Sequence, residues 1–273
     1  MGKFDGLLIC TDLDGTLLKN DKSISKENVE AIEYFKENGG KFTFITGRMP
    51  FYISDMYEKV RPNAPIGCIN GGGVFDYPAK KYLWTRPLEP SALELAKDVG
   101  RTFEDIGIQI SAFEKVYFCK DNTAMEEFRK ITKVPYLKGD LESFSDPIAK
   151  ILFGNLDGKS LGKVYDFLVD HPGSKDFVIT RSELTLCEIL PKGISKATAM
   201  LKIAQYLGID EKRCIAIGDY NNDIGMIYAA GLGVAVANAT EDVKKVADLI
   251  TCSNEESAIA RIIHDIDTGV IQI

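Results

Sequence analysis

The stretch Leu7-Leu8-Ile9-Cys10-Thr11-Asp12-Leu13-Asp14-Gly15-Thr16 decides the fold of this chain. Leu7 to Cys10 form a short apolar run of the kind required by a parallel strand buried on both faces. The run leads into Asp12-x-Asp14-Gly15-Thr16, so the first carboxylate falls at the carboxyl end of the strand. Gly15 then lets the chain curl away, because a residue without a Cβ adopts conformations that others resist. In open α/β sheets the carboxyl ends of the strands are where ligands bind. Two carboxylates there could hold a metal, attack an electrophile or shuttle a proton. Alone they would also make an ordinary acidic turn, and the rest of the chain decides between these readings.

The same pattern recurs downstream. Ser25 can cap a helix with apolar positions Val29, Ile32 and Phe35, ended by Gly39-Gly40. A strand over 41–45 stops at Thr46-Gly47-Arg48, and Pro50 suits the first turn of the next helix. A third apolar segment, 66–69, stops at Asn70-Gly71-Gly72-Gly73. From about 83 to 189 strand-like segments instead come in consecutive pairs, 108–113 with 116–119 and 177–181 with 184–189. Helical patterns over 92–103, 125–131 and 161–168 lie between them. After Ser195 the alternation returns, with strands over 214–217 and 234–236. The expected fold is α/β, a doubly wound, mostly parallel, Rossmann-like core sheet with an inserted α+β domain. The core domain would comprise 1–84 and 189–273, and the insert 85–188.

Composition narrows the function classes. The 273 residues are 45% apolar and 27% charged, with a net charge of −7 and a pI near 5.1. No basic run is present, which argues against a nucleic-acid or anionic-membrane partner. Cys10, Cys68, Cys119, Cys187, Cys214 and Cys252 are scattered without a C-x-x-C pair. They read as small hydrophobes of a reducing compartment. The apolar stretch after Met1 is too short for a signal peptide or a membrane span, so the expected location is cytoplasmic.

The second carboxylate motif is Gly218-Asp219-Tyr220-Asn221-Asn222-Asp223, directly after the strand over 214–217. If that strand neighbours the first, Asp12, Asp14, Asp219 and Asp223 converge and repel one another unless a positive group joins them. A hard divalent cation with oxygen ligands, Mg²⁺, resolves the repulsion. The two histidines, His171 and His264, lie outside these motifs, which argues against zinc. Thr46-Gly47-Arg48, at a strand end before a helix, offers a hydroxyl, an open backbone N–H and a helix N-terminus to a phosphate. Lys196, in Pro191-Lys192-Gly193-Ile194-Ser195-Lys196, could neutralise both a nucleophilic carboxylate and a phosphate oxygen.

In order and spacing these four signals resemble the haloacid dehalogenase superfamily, in particular its Cof-type phosphatases. Asp12-Leu13-Asp14-Gly15-Thr16-Leu17-Leu18 matches the first motif of that family and Thr46-Gly47-Arg48 the second. Lys196 matches the third, and Gly218-Asp219 through Asp223 the fourth. Asn70-Gly71-Gly72 and the segment from Ala230 to Ala239 also look like this subfamily. The chain departs from the common pattern at Ala197, Asn221 and Ser253, none of which removes a reacting group.

The resemblance implies a catalytic set of Asp12, Asp14, Lys196 and Thr46. Asp12 would be the nucleophile that forms an aspartyl phosphate. Asp14 would be the acid that protonates the leaving alkoxide and then the base for water. Mg²⁺ would be held by Asp12, the Asp14 carbonyl and Asp219, with Asp223 orienting its waters. Leu13, Thr46, Gly47, Arg48, Lys196 and Asn222 would meet the substrate phosphate. The insert would be a type IIB cap that closes on a small phosphorylated substrate and sets its selection. The resemblance leaves a phosphomutase, or a non-catalytic phosphate-binding protein, as alternatives, and the oligomeric state open.

Two further motifs lack their required context. Gly158-Lys159-Ser160-Leu161-Gly162 fits G-x-S-x-G, but its serine lies several residues beyond a strand end. Gly154 through Ser160 falls one residue short of a P-loop.

Overall fold

The computed structural model describes residues 2–132 and 135–273, which form two compact units. The first unit opens with β1 (Leu8–Thr11), every residue of which is buried. The helix α1 (Lys26–Glu37) begins where Ser25 Oγ accepts the Asn28 N–H at 3.2 Å, a side-chain cap for an otherwise orphan donor. Its buried positions are Asn28, Ile32 and Phe35, with Val29 only half-buried. β2 (Lys41–Phe44) lies parallel to β1 with Leu8 opposite Lys41 and Thr11 opposite Phe44. After α2 (Ser54–Val60) the chain forms β3 (Ile66–Cys68), β4 (Gly73–Asp76) and β5 (Lys81–Thr85), an antiparallel three-stranded sheet. A parallel bridge between Ile45 and Gly67 ties this sheet to the end of β2.

The second unit runs from Arg86 to Ile194. It contains α3 (Ser91–Thr102), β6 (Gly107–Ala112), β7 (Val116–Lys120), α4 (Thr123–Thr132), β8 (Leu137–Lys138) and β9 (Ile148–Gly154), then α5 (Gly158–Asp170), β10 (Phe177–Glu183) and β11 (Leu186–Pro191). The six strands are ordered β10-β11-β9-β6-β7-β8 and are antiparallel except for the β7–β8 pair. Ile108, Ile110, Ile151, Phe153, Cys187 and Ile189 form one apolar face, packed beneath Leu95 and Val99 of α3 and Leu161 and Val164 of α5. The G-x-S-x-G stretch is the first turn of α5. Asp157 caps it, accepting the Lys159 and Ser160 N–H groups and the Ser160 hydroxyl.

From Ser195 the chain completes the first unit with α6 (Lys196–Leu207), β12 (Cys214–Gly218), α7 (Ile224–Ala229), β13 (Leu232–Ala235), α8 (Glu241–Val246), β14 (Leu249–Ile250) and α9 (Ala258–Asp267). The core sheet is wholly parallel in the order β14-β13-β12-β1-β2. β1 is flanked by strands on both sides, which accounts for its unbroken apolar run. Asn28 Oδ1 accepts the Ala260 N–H at 2.9 Å, so a polar residue takes the helical position that joins α1 to α9. The six cysteines are free, four of them buried. No helix among the described residues is long and apolar enough to cross a membrane.

Ile215, fully buried on β12 opposite Ile9, is a measure of how firmly the sheet centre is packed. Replacement by alanine removes its packed atoms and leaves a cavity. Ile215→Ala is expected to cost about 2–5 kcal/mol in urea unfolding of the first unit.

Candidate active site

The register Thr11 opposite Ile217 sets the ends of β1 and β12 side by side, and the Asp12 N–H continues the ladder to the Ile217 carbonyl at 2.9 Å. Asp12 and Asp219 therefore leave neighbouring strands at the same level. Oxygens of Asp12, Asp219 and Asp223 lie within 4.8 Å of one another, and Asp12 and Asp223 are buried. Gly15, at φ 81, makes this approach possible. A Cβ at that position would collide with the Asp219 carboxylate. Thr16 Oγ1 donates to Asp219 Oδ1 at 2.7 Å.

Lys196 stands at the start of α6 and is 1% exposed. Its Nζ lies 2.7 Å from Asp12 Oδ1 and 2.6 Å from Asp223 Oδ1. Asp223 accepts the Asp219 and Tyr220 N–H groups on its other oxygen, both at 3.0 Å, so its carboxylate is held at both ends. Three carboxylates face one ammonium, and the balance is negative. Burial, with the neighbouring Asp223 and Asp219, pushes the Asp12 carboxyl up to about 8 against the pull of Lys196. Burial likewise raises Asp219 to about 6. Although burial opposes its charge, the two carboxylates raise Lys196 and keep it an ammonium. An all-oxygen, buried, electronegative group of this kind fits a hard divalent cation.

Asp14 stands apart from this triad. Its carboxylate is clasped by Arg48, Nε to Oδ2 at 2.8 Å and Nη2 to Oδ1 at 2.7 Å, and by Lys22 Nζ at 2.9 Å. Burial opposes ionisation, but these cations outweigh it and hold the Asp14 carboxyl below the usual carboxylate range. The expected metal contact of Asp14 is its main-chain carbonyl, and its side chain, which that contact leaves free for proton transfer, pairs with cations. Arg48, expected toward the phosphate, has its guanidinium on Asp14. Leu13 turns its side chain into the core, which leaves its main chain as the part able to meet a ligand.

Thr46 is buried at the end of β2, and its hydroxyl accepts the Arg48 N–H at 3.2 Å. Asn222 Nδ2 donates to Asn70 Oδ1 at 3.1 Å. Asn222 Oδ1 is buried with no hydrogen-bond partner among the described residues, a polar atom left for a ligand or water to satisfy. Asn70 belongs to three consecutive left-handed residues, Ile69 at φ 58, Asn70 at φ 51 and Gly71 at φ 98. For a β-branched residue such as Ile69 this is a genuine outlier. The Ile69 and Asn70 N–H groups anchor the turn on the Arg48 and Thr46 carbonyls, both at 3.1 Å. Lys22 and Asn70 were missed as site residues from the sequence. Asn70-Gly71-Gly72-Gly73 carried a turn signal, whereas Lys22 in a polar turn reads as a solvated lysine.

Residues 9–263 match the haloacid dehalogenase-like hydrolase family. The chain belongs to that family. Within it, the superfamily's Cof-type phosphatases are its relatives. The Bacillus subtilis (strain 168) 5-amino-6-(5-phospho-D-ribitylamino)uracil phosphatase YitU is 30% identical, over 94% of this chain and 96% of that protein. A haloacid dehalogenase-like hydrolase from Bacteroides thetaiotaomicron superposes with a TM-score of 0.83 at 29% identity, covering 95% of this chain and 99% of that one. The subclass IIB sugar phosphatase BT4131 shares the fold with a TM-score of 0.82 at 21% identity, over 97% of this chain and 100% of that one.

In this phosphatase the close approach of Gly71 to the segment that carries Lys196 is exposed to a simple test. A Cβ on Gly71 would collide with the Ser195 carbonyl. Gly71→Ala is expected to lower the melting temperature and to reduce phosphate release by ~100-fold, because a displacement near 1 Å at a reacting group costs about that much. A circular dichroism melt and a malachite-green assay read the two effects.

Proposed function

We propose that this chain is a Mg²⁺-dependent phosphatase of small phosphorylated metabolites, sugar phosphates or similar monoesters, acting through an aspartyl phosphate. One observation carries the reading. Asp12, at the end of β1, is held by the Lys196 ammonium at 2.7 Å, and Asp14 follows two residues later with cationic partners of its own. In the first half-reaction an Asp12 oxygen bonds to phosphorus, the ester P–O bond breaks, and the alkoxide takes a proton from Asp14. In the second, the Asp14 carboxylate takes a proton from water. The water oxygen bonds to phosphorus, and the Asp12–phosphorus bond breaks to release inorganic phosphate.

Arg48 and Lys22 stabilise the base form of Asp14, the form needed to activate water. The acid form needed in the first half-reaction requires the Arg48 clasp to loosen. Thr46, Gly47, Lys196 and Asn222 hold the phosphoryl oxygens as charge builds on them. Asp12, Asp219 and the Asp14 carbonyl would hold Mg²⁺, with Asp223 beside them. When bound, the ion supplies positive charge that screens the carboxylates from the incoming phosphate. The name of the ribitylaminouracil phosphatase relative supports a hydroxyl-rich alcohol as the group esterified.

The test is phosphate release from p-nitrophenyl phosphate with Mg²⁺ and with EDTA, for wild type and Asp12→Asn. Metal-dependent release that falls to background in the variant is expected. Undiminished release by Asp12→Asn would overturn the assignment of the nucleophile.

The raised carboxyls also predict how the metal binds. With Asp12 near 8, the metal-free site carries about one proton at neutral pH, Asp219 near 6 adding a second only as the solution becomes more acid, and the cation must expel what is bound. Apparent Mg²⁺ affinity should therefore weaken as pH falls from 8 towards 6, by up to about tenfold per unit for each proton displaced. Titration calorimetry in buffers of different ionisation enthalpy would count the protons released.

A further inference from the structure

The two residues that flank Asp14 each have a tied carbonyl. Leu13 O accepts the Leu18 N–H at 2.8 Å, and Gly15 O accepts from Asn238 Nδ2 at 2.8 Å. Beyond Leu18 the chain closes into a tight turn, Lys22 N–H to the Lys19 carbonyl and Lys19 N–H to the Ser23 carbonyl, both at 2.9 Å. Lys22, at φ 65, reaches Asp14 from that turn. Leu17 and Leu18 are buried, whereas Asn20, Asp21 and Lys22 are exposed. Apolar packing therefore fixes the two leucines, and the polar turn beyond them depends on hydrogen bonds.

Both ties lead to Asn254, a residue 3% exposed that opens the 3-10 turn after β14. Its Nδ2 donates to Leu18 O at 3.0 Å and to Asn20 Oδ1 at 3.3 Å. Its main-chain N–H donates to Asn238 Oδ1 at 3.0 Å, which orients the Asn238 amide with Nδ2 on Gly15 O. The next residue, Glu255, accepts the Asn20 N–H at 2.8 Å. One buried side chain thus fastens the chain on both sides of Asp14, through Leu18 to Leu13 and through Asn238 to Gly15. Asn254 lies 236 positions from Leu18 in sequence, so local folding of the turn does not supply this hold.

We infer that Asn254 is a positioning residue for proton transfer by Asp14, holding through Leu18 and Asn238 the backbone that aims the Asp14 carboxyl at the leaving oxygen. The inference rests on the phosphatase reading above. As the ester P–O bond breaks, the Asp14 O–H bond breaks and the proton bonds to the departing alkoxide. That transfer requires the two oxygens to stand within hydrogen-bond reach. A displacement near 1 Å at a reacting group costs about 100-fold. The cations on Asp14 do not secure the placement at that moment, because the Arg48 clasp loosens to give the acid form. The backbone on either side of Asp14 remains as its support, and Asn254 is where the two supports meet. Asn254 itself touches no reacting atom.

The experiment measures kcat/KM for benzyl phosphate and p-nitrophenyl phosphate with wild type, Asn254→Asp and Asn238→Ala. The two esters are alike in size, but a benzyl alkoxide needs a proton as it leaves, whereas p-nitrophenolate departs as the anion. The ratio kcat/KM covers the steps through loss of the alcohol and excludes the later attack of water. Asn254→Asp keeps the shape of the side chain and sets an acceptor where Nδ2 donated to Leu18 O. It should lower kcat/KM for benzyl phosphate about tenfold more than for p-nitrophenyl phosphate, a share of the roughly 10²–10⁴-fold that general acid catalysis supplies. Asn238→Ala, at an exposed position, should shift the same comparison in the same direction by about threefold. Both esters are assayed on one preparation, so any loss of folded protein cancels. An unchanged or reversed preference between the esters in either variant would overturn the inference, since a merely structural role lowers both rates alike. A wild type that releases phosphate from neither ester would instead overturn the phosphatase reading beneath it.

Discussion

The ammonium of Lys196 between Asp12 and Asp223 is the constraint on which the first unit's site depends. Removing one member of a buried charge cluster leaves the others uncompensated, at a cost far above that of a surface pair. The cluster draws on segments remote in sequence: the end of β1, the start of α6 and the turn after β12. Asp223 passes the constraint on, because its second oxygen fixes the Asp219 and Tyr220 N–H groups and with them the path of the chain leaving β12. The parallel register of β1 and β12 and the placement of α6 are thus tied to one charge balance.

Around that cluster the protein tolerates strain. Ile69, Asn70 and Gly71 occupy left-handed backbone in succession, which for non-glycine residues costs of order 1–3 kcal/mol each. Two backbone hydrogen bonds to the Thr46–Arg48 segment and the side-chain bond between Asn70 and Asn222 hold the turn in place. The result joins the ends of β2 and β3 through main-chain contacts and reaches the turn after β12 through one amide–amide side-chain bond. Asp14 is organised differently. It is set by charge, with a bidentate guanidinium on one side and a flexible lysine on the other, an arrangement that can be undone without disturbing the backbone.

Three strands of the parallel core, β1, β2 and β12, could be read from the sequence because each runs into a polar, glycine-bearing turn, a signal that β13 and β14 lack. Leu8 to Cys10 and Cys214 to Ile217 are apolar throughout for the simple reason that both faces are covered. Lys196 could be found because its neighbours place it at a helix start among acidic motifs. The clasp on Asp14 could not, since Lys22 reaches it from a turn whose composition matches any solvated loop. Val29 illustrates another limit. Periodicity assigned it to the core, yet Asn28 takes the buried position, because its amide satisfies the backbone of α9, whose packing lies more than two hundred residues away in sequence. In β6 the alternation Ile108-Gln109-Ile110-Ser111 reads as one dry and one wet face, whereas both are buried.

The discontinuity of the first unit has a consequence for its biogenesis. Every strand and helix of the second unit is synthesised before β12 exists, so during translation the inserted unit can close its six-stranded sheet while its host is still unfinished. Until Cys214–Gly218 emerges, β1 has β2 on one side and an open edge on the other, and an unpaired apolar strand edge is a template for aggregation. The host sheet is completed across a large loop, a closure that is slow on topological grounds. The order of synthesis thus leaves β1 of the nascent chain, rather than the inserted unit, as the part that needs protection longest.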